Sequence, residues 1–204
     1  MRAPLLALAP LLFGGCLADA APEDDDDSQL LVGTFEEVTG ADHLRAPLTN
    51  GRAESITSSI RGGYDGYGET VNVLFYDVAA RESRWLLPDT DRVILSTEAV
   101  RDSGRVRAFV YQIVEADTDG DGRLGADDAR TIALSDPTGR RLVRVVEGAE
   151  RLRQVRRLGD DTVLILYDAA STVGAVEVGL DSLEVEAEVT MPPPPRPADP
   201  EAGA

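Results

Sequence analysis

Five aspartates crowd one short glycine-rich stretch, Asp117-Thr118-Asp119-Gly120-Asp121-Gly122-Arg123-Leu124-Gly125-Ala126-Asp127-Asp128. Three of them alternate with other residues, and the pair Asp127-Asp128 closes the run. Carboxylates two residues apart on a tightly curled loop can all aim oxygens at one point. Such a cage suits a hard cation of the calcium type, which takes six to eight oxygen ligands. Without the ion the carboxylates repel one another, so the loop is expected to be mobile when empty and ordered when filled. An ion held only by the folded chain then stabilises it by mass action. The competing reading is an acidic turn that matches the spacing by chance.

These twelve residues resemble the EF-hand loop, with acidic residues at positions 1, 3, 5 and 12 and glycine at position 6. The resemblance implies one Ca2+ ion with a carboxylate oxygen each from Asp117, Asp119 and Asp121, the backbone carbonyl of Arg123, and Asp128 closing the far side. It also implies a left-handed turn at Gly122, Leu124 pointing inward to pin the loop, and a water in the direction of Gly125. Position 12 is Asp where Glu is usual, one methylene shorter, as in loops of dockerin modules and other extracellular calcium proteins. That shortening implies weak binding, with Kd about 10⁻⁴ to 10⁻³ M. The entry, Val106–Val114, is rich in β-branched and aromatic residues and predicts a strand. The exit, Asp128-Ala129-Arg130, leaves room for at most one helical turn. The loop is therefore expected between strands, without the helix-opening switch of a sensor.

A second chemical feature is Cys16, the only cysteine in the chain. Residues 1–15, MRAPLLALAPLLFGG, carry one positive charge at Arg2, an apolar stretch from Leu5 to Phe13, and two glycines. They read as a secretory signal. Small residues just ahead of a cysteine resemble the bacterial lipobox, which implies cleavage before Cys16 and lipidation of its thiol. Phe13 departs from the leucine usual in such boxes, and a cut after Ala18-Asp19-Ala20 without a lipid is the alternative. Residues 16–29, with Asp24–Asp27 in a row, are too charged to pack and read as a solvated tether. The expected location is the bacterial cell envelope, with contact to the membrane through the lipid anchor only.

The net charge of −17 comes from 37 acidic against 20 basic residues, all of the latter arginine. That excess repels phosphate backbones, and the arginine-rich stretch Arg140–Arg157 is interleaved with apolar residues, so no nucleic-acid partner is expected. No catalytic residue is expected either. The single histidine, His43, lies in a polar stretch and reads as a surface residue, and no G-x-S-x-G is present. Pairs such as Glu36-Glu37 and Asp160-Asp161 point different ways in an extended chain.

The elements that must position the loop are strands. After Glu69, short runs of valine, leucine, isoleucine and aromatics are broken every several residues by Asp, Gly, Pro or Arg. They predict strands at Val71–Tyr76, Arg84–Leu87, Arg92–Thr97, Val106–Glu115, Thr131–Ser135, Arg141–Val146, Leu152–Arg157, Thr162–Tyr167, Gly174–Gly179 and Glu184–Val189. Several end in Asp and a turn, as in Val73-Leu74-Phe75-Tyr76-Asp77 and Leu164-Ile165-Leu166-Tyr167-Asp168. This rhythm resembles the blades of TolB-like β-propellers, yet the chain after Val71 holds strands for only two to three blades, and closure needs about four. The expected fold is all-β, an antiparallel meander in an open or partly rolled sheet with propeller-like repeats and the EF-hand-like loop between strands.

The organisation expected is a signal at 1–15, a tether at 16–29, a mixed and loop-rich part at 30–70, a β-strand domain at 71–190, and a proline-rich disordered tail at 191–204. Within 49–70, which reads as loop, Tyr64 and Tyr67 are weak candidates for a binding role. The function expected is a non-catalytic envelope lipoprotein whose calcium loop stabilises a β domain presented to an envelope protein partner. The alternative is an interaction subunit of a larger propeller-like surface assembly, with the Asp/Gly loop only a turn.

Overall fold

The computed structural model describes residues 28–52, 68–170 and 172–192. Among them are thirteen strands, no helix, and so no helix long and apolar enough to cross a membrane. The first sheet holds β1 (Ser28–Val32), β2 (Glu36–Val38), β3 (His43–Arg52), β4 (Glu69–Asp77) and β5 (Glu82–Trp85). The second holds β6 (Val93–Asp102), β7 (Arg105–Val114), β8 (Arg130–Ser135) and β9 (Leu142–Ala149). The third holds β10 (Arg151–Leu158), β11 (Thr162–Ala169), β12 (Thr172–Gly179) and β13 (Val185–Thr190). The second and third sheets are antiparallel meanders in chain order, and the first has the path β1-β3-β4-β5 with β2 also on β3. The fold is all-β, with propeller-like repeats of antiparallel strands.

All ten strands expected after Glu69 form, with ends displaced by a few residues. Three more precede them, and residues 49–52, expected to be loop, are the last part of β3. Pro47, Asn50 and Gly51 hide that strand, because proline offers no ladder donor and glycine weakens a strand. The fold accommodates Pro47 at a gap: β1 pairs Leu48–Arg52 and β2 pairs His43–Arg45, so no strand residue faces Pro47 on that side. Its carbonyl instead accepts the Gly33 amide at 2.8 Å, where the chain bends from β1 to β2. The signal, Cys16, most of the tether, Tyr64, Tyr67 and nearly all of the tail lie outside the described residues.

The sheets stack face to face in chain order. Val38, Val73 and Phe75 of the first sheet pack on Ile94, Phe109, Tyr111 and Ile113 of the second. On its opposite face, Val110, Ile132, Leu134 and Val146 meet Val163, Ile165, Tyr167, Val176 and Val178 of the third. A middle sheet buried on both sides explains why β7 reads Phe109-Val110-Tyr111-Gln112-Ile113-Val114 with little alternation. Its hairpin to β6 is a two-residue turn, Ser103-Gly104, with φ of 47° and 84°, the backbone that matches strand twist.

Polar groups fasten the stack. Asn72 is buried; its amide donates to the carbonyls of Leu87 and Asp89, both at 3.0 Å, and its oxygen accepts the Leu87 amide at 2.9 Å. That pins the crossing from the first sheet to the second. Arg107 on β7 reaches the turns of the third sheet at Asp161, 3.1 Å, and Asp181, 2.8 Å. Arg157 pairs with Asp102, whose carboxyl is held below the usual range chiefly by that hydrogen bond. Several arginines of the 140–157 stretch thus make intramolecular ion pairs.

Candidate functional site: the Asp117–Asp128 loop

The loop joins β7 to β8, the two central strands of the middle sheet. Val93, Val114, Arg130 and Ala149 stand in one row across that sheet, so the loop leaves at the end where the chain enters from the first sheet and departs to the third. Both necks are fixed. Glu115, just before the loop, accepts Arg92 at 3.0 Å, Arg144 at 2.7 Å and the Thr131 hydroxyl at 2.9 Å, which ties β6, β9 and β8 together. Just after the loop, Arg130 donates to the Ala126 carbonyl at 2.6 Å and to the Gln112 side chain at 2.8 Å. The same Gln112 oxygen accepts the Leu152 amide of β10 at 3.1 Å, so one chain of contacts runs from the loop into the third sheet.

Within the loop the chain curls around carboxylates. Asp117 accepts the amides of Gly120 at 2.7 Å and Gly122 at 2.8 Å, one on each oxygen. Asp119 accepts the Asp121 amide at 3.0 Å, and Asp121 accepts the Arg123 amide at 2.8 Å. Asp128, only 2% exposed, closes the circle: one oxygen accepts the Thr118 amide, the Thr118 hydroxyl and the Asp119 amide, and the other accepts the Gly125 amide at 2.8 Å. The Thr118 hydroxyl also accepts the Ala129 amide at 2.8 Å, which clasps the neck. Gly120 and Gly122 take φ of 82° and 85°, the left-handed backbone that permits the reversal. Leu124 is half-buried.

Oxygens of Asp117, Asp119 and Asp128 lie within 4.8 Å of one another. Two oxygens bound to one calcium ion at 2.3–2.6 Å can be as much as about 5 Å apart, so the trio fits a shared hard cation. These three aspartates can bind a metal ion. Asp117 and Asp119 accept two amides and one, which leaves lone pairs free on both, whereas Asp128 accepts four hydrogen bonds and keeps room for an ion only on Oδ2, which takes the Gly125 amide alone. Asp121 does not join the cluster; its carboxylate is turned onto the Arg123 amide. Arg123 itself is exposed. The Asp119 carboxyl accepts the Asp121 amide, which favours its charged form, yet desolvation and the negative charges of Asp121 and Asp128 leave it above the usual value. Asp128 is held below its usual value, first by the amides of Thr118 and Gly125. Seven backbone amides therefore offset the mutual repulsion of these carboxylates.

Sequence reasoning missed a second polar group. His43, expected at the surface in a loop, opens β3 with its side chain only 11% exposed, and its Nε2 lies 3.5 Å from Asp77. Arg140, from the β8–β9 turn, approaches the same carboxylate at 3.4 Å. The Asp77 carboxyl is held below its usual value by the Ala80 amide first, then by His43 and Arg140. Beside them is a hollow of about 490 Å³, lined also by Phe75, Glu82, Ser83 and Arg84. Only the stacking of the first two sheets brings Arg140 to His43, so no local sequence signal marks it.

No known protein family matches this chain. No curated protein matches it either. Among solved structures, the β-propeller domain of the Trilobed protease from Pyrococcus furiosus, described as having an open velcro topology, is 13% identical with a TM-score of 0.42. The match covers 80% of this chain and 43% of that one, so this chain spans less than half the length of its structural neighbour.

Proposed function

We propose that this protein is a non-catalytic envelope lipoprotein, anchored through Cys16, whose β domain is stabilised by one calcium ion in the Asp117–Asp128 loop. The convergence of Asp117, Asp119 and Asp128 oxygens within 4.8 Å carries the reading. Asp121 and the Arg123 carbonyl complete the ligand set when the ion draws them in, and water fills what remains. The role is structural, because strands flank the loop on both sides and no helix pair is there to open. The ion stiffens the end of the middle sheet from which Glu115, Arg130 and Gln112 reach the neighbouring strands.

At about 10 mM calcium, a Kd near 10⁻⁴ M adds roughly 2.7 kcal/mol of stability. Calorimetric titration and thermal melts of the Cys16→Ser chain should show heat of binding and a Tm raised by roughly 5–10 °C. The double variant Asp119→Ala with Asp121→Ala should show neither. A wild-type chain indifferent to calcium at that concentration rules the site out. The anchor has its own measurement: Cys16→Ser should abolish labelling by a fatty-acid probe in the native host, and persistent labelling excludes lipidation at that thiol.

A further inference from the structure

The hollow beside His43 has walls from two sheets. Two rows of the first sheet cross β3, β4 and β5, His43–Asp77–Glu82 and Arg45–Phe75–Arg84, and five of these six side chains line it; Arg45 does not. Arg140 comes to it from the β8–β9 turn of the second sheet. That turn is seated on the Phe75 ring at Gly139, and Asp136 accepts the Arg140 amide at 3.1 Å. The walls are therefore held in place by packing and hydrogen bonds of the fold itself.

The charges around the hollow are only partly used. Asp77 accepts the Ala80 amide at 2.9 Å on one oxygen, and its other oxygen has His43 at 3.5 Å and Arg140 at 3.4 Å. Both distances exceed the roughly 2.7–2.9 Å of a charge-assisted hydrogen bond. A guanidinium carries five N–H groups, so among the described residues most of the Arg140 donors are unused. Glu82 and Arg84 are exposed, and among the described residues neither has an ion pair. Arg84 and Arg140 balance Asp77 and Glu82 in formal charge.

We propose that this hollow binds a short zwitterion of dipeptide size, with its carboxylate on the guanidiniums of Arg84 and Arg140 and its ammonium on Glu82. A simple anion would face Glu82 without compensation, and a simple cation would face Arg84 in the same way. A ligand carrying both charges satisfies both walls. Spacing favours two residues over one. Glu82 and Arg84 are alternate residues on one face of β5, so their strand positions stand about 6.6 Å apart. An extended dipeptide spans about 7 Å, whereas the two charged ends of a single α-amino acid lie within about 3 Å of each other. The hollow, about 490 Å³, falls within the roughly 300–1,000 Å³ of small-ligand sites. This site goes beyond the calcium reading and does not depend on it.

The test titrates the full chain carrying Cys16→Ser, without added calcium, with dialanine, alanine, N-acetylalanine and alaninamide. His43 is the only histidine, so its ring proton resonances report occupancy of the hollow. Dialanine should shift them saturably, and the other three, each lacking one charge or the spacing, should bind at least about tenfold more weakly. Arg84→Gln and Glu82→Gln alter exposed side chains of an edge strand, so Tm should hold while dialanine binds at least about tenfold more weakly to each. Glu82→Gln should also strengthen N-acetylalanine, because the carboxylate that repels it is gone, and Arg84→Gln should strengthen alaninamide. A purely structural role for either side chain moves neither preference. Resonances unmoved at about 10 mM dialanine, ten times a millimolar Kd, overturn the proposal. Equal shifts from all four compounds, or dialanine bound undiminished by both variants, overturn it as well.

Discussion

Asp128→Ala should lower the unfolding free energy by about 3 kcal/mol in the absence of calcium, or roughly 10 °C in Tm, and should remove any gain on adding calcium. The reason lies in what the side chain accepts. Both oxygens of a carboxylate that is 2% exposed take hydrogen bonds from the amides of Thr118, Asp119 and Gly125, and the Thr118 hydroxyl adds a fourth. Alanine removes four part-buried hydrogen bonds at the neck of the loop, and bonds to a charged acceptor contribute about 1.5–3 kcal/mol each before water replaces some of them. Asparagine is not a conservative replacement. Whichever way its amide is turned, an NH2 faces backbone N–H groups, so Asp128→Asn should lose about 2 kcal/mol. Chemical denaturation of both variants in chelator measures this. Either variant holding wild-type stability would show that the loop closes without Asp128. The Asp119→Ala, Asp121→Ala double variant separates the two roles, because those exposed residues serve the ion more than the neck.

Phe75→Ala should cost about 3–5 kcal/mol, the range for removing a fully buried aromatic ring. Phe75 is wholly buried on β4 and meets Phe109 of the middle sheet edge-on, with ring centroids 6.0 Å apart at 61°. The Arg45 guanidinium lies 4.4 Å above the Phe109 ring, so the pair also seats a cation. On its other side Phe75 is roofed by the β8–β9 turn: a Cβ at Gly139, where φ is 66°, would lie 2.5 Å from the Phe75 ring. The ring therefore holds the first two sheets together and seats the turn that presents Arg140 to Asp77. Phe75→Leu, closer in volume, should cost about 1.5 kcal/mol or less. Equilibrium denaturation gives both values, and a loss for alanine no larger than for leucine would mean that the contact is not packed as described.

How far the sequence reached differs between loop and sheet for one physical reason, the range over which the information acts. The ligand spacing of the loop is local. Alternation places Asp117 and Asp119 together, Asp128 closes the run, and Gly120 and Gly122 take the reversal, so the candidate site was legible in twelve residues and its strand flanks in the runs on either side. The ten strands after Glu69 were legible too, because each carries its own alternation or apolar run between turn residues. β3 was not, since Pro47 and Gly51 contradict a strand locally and only the gap between β1 and β2 makes room for them.

By itself, then, the sequence determined an all-β chain of short antiparallel strands and an aspartate loop with cation-binding spacing. Tertiary structure alone decided that the strands divide into three stacked sheets, with the middle one buried on both faces. It decided that Asp121 turns away from the trio while Asp128 is drawn inside. It set His43 against Asp77 and Arg140, residues 34 and 97 positions away in the chain. Contacts between sheets depend on which faces meet after collapse, and face-to-face packing of apolar surface is non-directional. No residue carries that choice in its neighbours; the stacking of whole sheets makes it.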